Sequence, residues 1–381
     1  MNRKVTVVVL LLSVLLAGAS MYGFTDLIDF AMEGKMEAVA ASIGSGADVN
    51  KADGYGRTAL MYACRKGHQD MVRLLVEKGA DLNAQDADGY TPLMIATLNH
   101  HLDILQFLLD SGANPDLQEE YGWTSLMWAV HKEYRDVIRL FLIHGADQNI
   151  QDSYGYTPVM HAAFKGCVSI SRDLIQAGAD IDCKDKYGLT PLMYAVGSCQ
   201  TEIVDDLLAA GVQINAQSKF GVTALMTASA AGDADIVATL LEHDANVQIR
   251  NSDGDSALSY AMKSPQVQII QQLLDRGVPV DPTSIEGLVA LMYAVYRGSC
   301  DEARKRIDEG ACVNGSDPFG RTSLLLAAEK GDVAMVRLLL DAGADPAAAD
   351  RNGITALAAA EERGYLEIVE LLVDAAQTEP Y

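Results

Sequence analysis

The chain has 381 residues, of which 29 are Lys or Arg and 52 are Asp or Glu, so its formal net charge is −23. A protein whose main ligand is nucleic acid carries a basic patch or stripe, and this balance therefore argues against DNA or RNA as the principal partner. The same negative field disfavours attachment to an anionic membrane surface.

The first nineteen residues have the pattern of an export signal. A short positive region, Asn2–Lys4, precedes an almost wholly apolar run, Val5–Leu16, and small residues at 17–19 form a cleavage site before Ser20. The apolar run is shorter than the roughly 20 residues that a membrane-spanning helix needs. We expect residues 1–19 to be a cleaved signal peptide that directs the protein to the periplasm or out of the cell. An uncleaved N-terminal anchor is the alternative.

A glycine recurs every 33 residues, with no insertion or deletion, and an alanine stands seven positions after each of the last ten glycines. The stretch Gly188–Ala195, GLTPLMYA, shows the unit. Thr190 can cap a helix, and Pro191 fits the first helical position, where no N–H is needed. The pattern predicts two helices per unit, the second ending at a glycine, and then a turn of the form D-x-x-G that precedes the next unit. The periodic glycines are Gly23, Gly56, Gly89, Gly122, Gly155, Gly188, Gly221, Gly254, Gly287, Gly320 and Gly353.

A 33-residue period with T-P-L at the start of a helix resembles the ankyrin repeat, and the resemblance covers Gly23 to about Ala375. It implies an all-α solenoid of stacked helix-turn-helix units with short β-hairpin fingers. We number the repeats one to eleven from the eleven glycines and expect residues 20–381 to form one such solenoid, an exported bacterial member of the family. Polar outer faces on the first and last repeats would end the stack.

The fifth residue after the glycine departs from the family pattern. That position is usually histidine, which can hydrogen-bond back toward the capping threonine, whereas here it is methionine in seven repeats. Methionine is not expected to make that bond but fills gaps in a core. We interpret the row as an apolar ladder between repeats; loosening of the stack by methionine oxidation is the alternative. The residues are Met61, Met94, Met127, Met160, Met193, Met226 and Met292.

The repeat motif weakens between repeats seven and nine. Asp244 replaces a C-cap glycine, Ser259 the usual methionine, Pro265 a turn glycine and Val289 the capping threonine, while Pro279 and Pro282 crowd the following connection. Loss of one threonine cap costs about 0.5–2 kcal/mol. We therefore predict a weak stretch inside one solenoid.

The sequence contains no recognisable catalytic, metal-binding or cofactor-binding motif. Its seven histidines show no H-x-x-x-H or H-E-x-x-H spacing, and the many glycines serve turns and caps. No two of the six cysteines share a position in neighbouring repeats, so we expect free thiols and no regular disulfide framework. We therefore expect a protein that is not an enzyme and binds neither metal nor cofactor; a redox-linked metal or thiol protein is the alternative.

Aromatic and basic residues stand where ankyrin repeats recognise their partners, at the finger tips and the inner end of helix one. Such a composition is typical of an interface hot region. The expected protein-binding residues at the tips are Tyr55, Tyr90, Tyr121, Trp123, Tyr154, Tyr156, Tyr187 and Phe220, and those on the helix ends are Arg65, Lys66, His131, Lys132, Phe164 and Lys165. The alternative is that the finger aromatics only stack on one another and stiffen the hairpins.

These observations favour a non-catalytic, monomeric scaffold that binds a protein partner on its concave and finger face. A secreted effector that engages a host protein, or a structural array held at the membrane, would have the same sequence features. The resemblance does not identify the partner.

Overall fold

The computed structural model of the chain describes residues 26–261, 267–277, 280–281 and 284–377. The expected signal peptide and the residues Pro265, Pro279 and Pro282 lie outside the described residues. Two compact units divide the chain after Val212. Together the described residues form 22 helices and no sheet, as the repeat pattern predicts.

The first unit consists of helix pairs, and the first helix of each pair packs on the first helix of the next pair. Its core extends from Leu27 to Ala179, and the fourth residue after each turn glycine, such as Leu60 or Leu93, is fully buried. The helices are α1 (Asp26–Glu33), α2 (Met36–Gly44), α3 (Ala59–Lys66), α4 (Gln69–Glu77), α5 (Pro92–Leu98), α6 (Leu102–Asp110), α7 (Ser125–Lys132), α8 (Arg135–Ile143), α9 (Pro158–Lys165), α10 (Val168–Gln176), α11 (Pro191–Gly197) and α12 (Thr201–Ala209).

The second unit repeats this arrangement, and one of its core clusters extends from Leu291 to Leu372. Its helices are α13 (Ala224–Ala231), α14 (Ala234–Glu242), α15 (Ala257–Ala261), α16 (Val267–Asp275), α17 (Ile285–Arg297), α18 (Cys300–Asp308), α19 (Ser323–Lys330), α20 (Val333–Asp341), α21 (Ala356–Arg363) and α22 (Leu366–Gln377).

Threonine begins the first helix of most repeats. The hydroxyl of Thr91, for example, accepts a hydrogen bond from the Met94 backbone N–H at 3.2 Å, which satisfies one of the free donors at the helix start. Six further threonines cap in the same way: Thr58, Thr124, Thr190, Thr223, Thr322 and Thr355. In repeat two the expectation for methionine is wrong, because the Met61 sulfur accepts from the Thr58 backbone N–H at 3.4 Å.

The fingers are tight turns, not the hairpins that the resemblance implied. Three isolated β-bridges are the only strand pairing among the described residues, one of them between Ala52 and Thr58. Each turn is closed by a side chain: one carboxylate oxygen of Asp53 accepts from the backbone N–H groups of Tyr55 and Arg57, at 2.8 and 2.9 Å. This Asx-type turn replaces the ladder of a hairpin.

Neighbouring fingers are joined through their backbones. In six fingers the residue before the turn glycine offers its C=O to the next finger, as in the bond from the Ala87 N–H to the Tyr55 C=O at 2.9 Å. This approach demands glycine: a Cβ on Gly122, whose φ is +83°, would lie 2.7 Å from the backbone N of Ser153. Where one finger passes over the next, only glycine leaves enough space, and this requirement explains much of the 33-residue glycine period.

Repeat nine lacks the regular finger. Helix α17 already begins at Ile285, with the Ser284 hydroxyl as its N-cap, so that Gly287 lies within the helix instead of a turn. The assignment of Val289 to a helix start was therefore wrong. Because valine has no hydroxyl with which to cap the usual position, the helix begins upstream at Ser284.

At two other irregular positions, Asp244 and Ser259, the residue present provides a different local interaction or conformation in place of the regular one. Asp244 adopts the left-handed conformation of the glycine that it replaces, with φ of 60°. The Ser259 hydroxyl donates to the buried Glu286 carboxylate at 2.8 Å, and the Arg250 guanidinium reaches that carboxylate at 2.9 and 3.1 Å. Burial alone would raise the pKa of Glu286, but Arg250 and two serine hydroxyls hold it below its ordinary value.

All six cysteines are free thiols in the structure, and Cys64 is fully buried, which raises its pKa. Cys199 and Cys312 are exposed.

Candidate protein-binding surface

The residue before the turn glycine points into solvent. In Tyr55, Tyr121 and Tyr154 the backbone C=O accepts from the next finger, while the side chain projects from the tip. In the first unit these fingertip aromatics are Tyr55, Tyr121, Tyr154 and Tyr187, which are 67, 61, 55 and 53% exposed. Tyr55 lies over the Arg57 guanidinium, 5.5 Å from ring centre to charge. Large, rigid and exposed side chains of this kind lose little entropy when a partner covers them.

The residue after the turn glycine is instead half-buried and packs against helix one. Trp123 has its ring centre 4.7 Å from those of both Trp128 and His161, and Tyr156 lies 5.3 Å from Tyr194. We call the connected rings the aromatic chain: Tyr90, Trp123, Trp128, His131, Tyr156, His161, Phe164 and Tyr194. The two classes of finger aromatics thus have different surroundings, because one class is exposed and the other contacts the inner helices.

Polar groups at the base of each finger hold the aromatic chain in place. Asp152 accepts from the backbone N–H groups of Tyr154 and Tyr156 with one oxygen, and hydrogen-bonds with His161 Nε2 at 3.1 Å through the other. Burial would raise the pKa of Asp152, but the hydrogen bond with His161 and those from the backbone keep it lowered. In repeat six the Tyr194 hydroxyl donates to Asp185 at 2.7 Å.

Sequence reasoning missed the sixth residue after the glycine, where Trp128 and Tyr194 lie. An aromatic residue or histidine occupies this position in six repeats, and that recurrence was the available signal. The six residues are Tyr62, Trp128, His161, Tyr194, Tyr260 and Tyr293.

The basic residues at the ends of the inner helices divide into two groups. Lys165 donates to the His131 C=O at 2.6 Å and pairs with Glu133 at 2.8 Å, which lowers the pKa of that carboxyl. Burial, together with Lys165 and Lys132, lowers the pKa of His131 and so favours its neutral form.

The other group consists of Arg65, Lys66 and Lys132, which are exposed and form no ion pair with any described residue. Arg65 also lines a cavity of about 320 Å³ between repeats two and three, together with Tyr62 and Tyr90 at one end of the aromatic chain. The positive charge available to a partner therefore lies beside that cavity and at Lys132.

Phe220 belongs to the second unit, where it is a fingertip residue with 65% of its surface exposed. Its C=O accepts from the Ser252 N–H at 2.9 Å, as in the fingers of the first unit. Across the described ranges, three or more His, Cys, Asp or Glu side chains nowhere come together in a group that could hold a metal ion. In the same ranges no helix has the length and apolar character needed to cross a membrane.

A family model described as ankyrin repeats, in three copies, matches residues 27–119, 85–152, 104–185, 126–218, 192–285 and 291–380. No curated protein matches the sequence. The matched segments cover most of the chain, including every described helix pair except the stretch at the start of repeat nine, where the structure departs from the regular unit. The repeated helix pairs, their threonine caps and the glycine turns are thus those of a known fold, and the chain belongs to the ankyrin-repeat family.

Proposed function

We propose that the protein is a non-catalytic scaffold that binds a protein partner through the finger side of its first unit. Ankyrin repeats are generally protein–protein interaction modules, and the family is typically non-enzymatic. The observation that carries the proposal is the row of exposed fingertip tyrosines beside the aromatic chain, in which all rings except those of His131 and Phe164 are half-buried. The chain holds the fingers rigid, and the tyrosines are left free to contact a partner.

The charges favour a partner segment that bears carboxylates. Arg65, Lys66 and Lys132 carry exposed positive charge without an ion pair among the described residues, on a protein whose formal charge is −23. Opposite charges across an interface speed association and select among partners more than they add affinity. We therefore propose a protein with an acidic surface segment as the class of partner.

The site of action is proposed from the N-terminal pattern. We propose that residues 1–19 are removed and that the mature protein works in the periplasm or outside the cell. Mass spectrometry of the native protein should find a chain that starts at Ser20. An intact Met1 peptide would contradict cleavage and favour the anchored alternative.

A photo-crosslinking experiment tests the binding face. A benzophenone amino acid placed at Tyr121, whose side chain is 61% exposed, should yield a discrete crosslinked protein in an extract of the native envelope. The matched control places the same group at Phe319, a fingertip of the second unit that is 53% exposed. A species seen equally from Phe319 would show that the contact is not specific to the first unit.

Alanine variants then separate recognition from folding. Replacing Tyr154 and Tyr187, which are exposed, should weaken capture while the helical circular dichroism is retained. Replacing Trp123, whose ring contacts Trp128, should instead lower stability as well as capture. If capture survives the loss of Tyr154 and Tyr187 with the fold intact, the partner binds elsewhere.

A further inference from the structure

The seven histidines of the chain differ in how their two ring nitrogens are used. A neutral imidazole carries a proton on one nitrogen only, so an imidazole that donates to an oxygen from each nitrogen must be protonated on both. Among the described residues, only His144 has an oxygen acceptor at each of its nitrogens. The other six histidines are His68, His100, His101, His131, His161 and His243.

His144 is the C-cap residue of α8. Its Nδ1 lies 2.9 Å from the carbonyl oxygen of Leu140 in the same helix, and because a carbonyl oxygen can only accept, Nδ1 carries a hydrogen. Its Nε2 lies 3.2 Å from a carboxylate oxygen of Asp110, the last residue of α6. A hydrogen bond from Nε2 to this carboxylate needs a second proton on the ring, and it joins repeat four to repeat three.

Gln106 on α6 offers His144 a different bond. The Gln106 side-chain amide donates to the same Asp110 oxygen at 3.0 Å, and its nitrogen lies 3.3 Å from His144 Nε2. When the imidazole is protonated, Nε2 donates to the carboxylate in a charge-assisted bond; when it is neutral, Nε2 can only accept from the amide. Loss of the proton therefore replaces a charged bond between the repeats with a weaker neutral one.

Two other histidines show parts of this arrangement. His243 at the end of α14 has its Nδ1 2.9 Å from the Thr239 carbonyl oxygen, and its other nitrogen has no hydrogen-bond partner among the described residues. His100 contacts the Asp136 carboxylate at 3.1 Å through Nε2 alone, so a neutral ring suffices for that bond. The bond that depends on a second proton is therefore specific to His144.

The groups around His144 support its protonated form. The bond to the Leu140 carbonyl, and then that to Asp110, raise the pKa of His144, although partial burial opposes them. Among the described residues of α6, α7 and α10, the helices that pack against α8, Asp110 is the one charged side chain that acts on this ring. Gln106 and then His144 lower the pKa of Asp110, so the carboxylate keeps its charge where the histidine titrates.

The direction of the pH dependence follows from the raised pKa of His144. A group whose pKa is higher in the folded state than in the unfolded chain stabilises the fold while it is protonated. The stabilisation is fully present below the ordinary histidine pKa of 6.5 and is lost as the pH rises through the folded-state pKa.

We propose that His144 is a proton-sensitive link between repeats three and four. When protonated, it ties the end of α8 to Asp110 at the end of α6; when neutral, it keeps only the bond from Gln106, and the two helices separate more readily. Because each repeat is stabilised mainly by its neighbours, this bond changes the local opening of both repeats. The link uses none of the fingertip residues and goes beyond the proposed binding of a protein partner.

A double-mutant cycle isolates the pair. The full chain, His144→Gln, Asp110→Asn and the double variant are compared by amide hydrogen exchange in α6 and α8, expressed at each pH as protection relative to the unstructured chain. At pH 6 we expect the cycle to give a coupling of about threefold in protection, since the two side chains are partly exposed, at 21 and 59%. At pH 8.5 the coupling should disappear, because the imidazole has lost its proton.

Asp103→Asn is the charge-matched control. It removes the same charge from α6, at an exposed residue that forms no hydrogen bond or ion pair with a described residue, and it should show no coupling to His144→Gln at either pH. The proposal would be overturned by an absence of coupling at pH 6, by a coupling that persists at pH 8.5, or by equal coupling of His144 with Asp103. The cycle needs no partner protein, so its outcome is separate from that of crosslinking at Tyr121.

Discussion

At the scale of single residues, left-handed backbone conformations occur at glycines that end helices, at the turn glycines and at four residues that are not glycine. At most of the turn glycines the next finger passes close by, so both φ and space exclude a side chain there. The four residues that are not glycine are His100, Glu133, Cys199 and Asp244. Such a conformation costs an L-residue about 1–2 kcal/mol, which marks these positions as locally strained.

The two reasons for a turn glycine can be separated with one pair of variants. Gly122 and Gly254 have nearly the same φ, +83° and +85°, but only at Gly122 would a Cβ meet the next finger. Gly254→Ala should cost about 1 kcal/mol for the backbone alone. Gly122→Ala should cost about 2 kcal/mol more, because the Ser153 backbone must move. Hydrogen exchange in the adjacent helices measures each local loss, and equal losses would show that close approach contributes nothing.

At Asp244 the informative substitution is to glycine instead of from glycine. Its side chain is exposed and its φ is 60°, so Asp244→Gly should stabilise the end of α14 by about 1 kcal/mol. Asp244→Ala removes the same charge but keeps the strained backbone, and it should give no gain. Local hydrogen exchange checks both variants. Equal stabilisation by glycine and alanine would assign the effect to charge instead of conformation.

At the scale of helices, ion pairs join the second helices of consecutive helix pairs in the first unit. Asp173 on α10 accepts from Arg135 and Arg139 on α8, with shortest distances of 2.6 and 3.0 Å. Arg135 contributes most to holding the pKa of Asp173 at about 2, with Arg139 next, although partial burial opposes them. The two arginines thus fix the spacing between repeats four and five at a position that the apolar pattern does not specify.

This pairing gives a defined pH dependence. Because the folded-state pKa of Asp173 is depressed to about 2, its stabilisation is fully present above about pH 4 and is lost as the pH falls toward 2. Asp173→Asn should lower the free energy of unfolding by about 1–2 kcal/mol at pH 7, after allowance for the exposure of the arginines, and have little effect near pH 2. Urea unfolding of the two proteins across this range is the measurement. A difference that does not vary with pH would mean that packing, not charge, is lost.

At the scale of the whole molecule, the 33-residue period predicted the helix pairs, the turn glycines and the threonine caps, because each of these rests on local backbone chemistry. The period did not predict the structure of repeat nine. The glycine spacing continues through Gly287, but Val289 cannot cap a helix, and the helix therefore begins after Ser284. Among the site residues, exposure of the fingertip tyrosines followed from their place in the turn. The contacts of Trp128 with Tyr90 and of Tyr194 with Tyr156 did not, because each joins two neighbouring repeats.

The weak stretch between repeats seven and nine remains a prediction. Stability in a repeat array is close to a sum of repeat and interface contributions, so the irregular motifs should open first. We expect amides of α15 and α16 to exchange faster than those of α20 and of α5. Exchange that is uniform across these helices would show that the Glu286 cluster fully replaces the regular contacts.

The missing finger of repeat nine also affects how the protein can gain or lose whole repeats. Regular repeats present matching edges, since six fingers offer one C=O to the N–H of the following finger. Excising repeat nine would set the finger of repeat ten against that of repeat eight, where Pro318 cannot donate, and would leave Arg250 without Glu286. Duplicating repeat nine would instead add a second repeat that lacks the regular finger. We therefore expect recombination between repeats to be tolerated on either side of repeat nine but not through it, so that repeats eight to ten are inherited together.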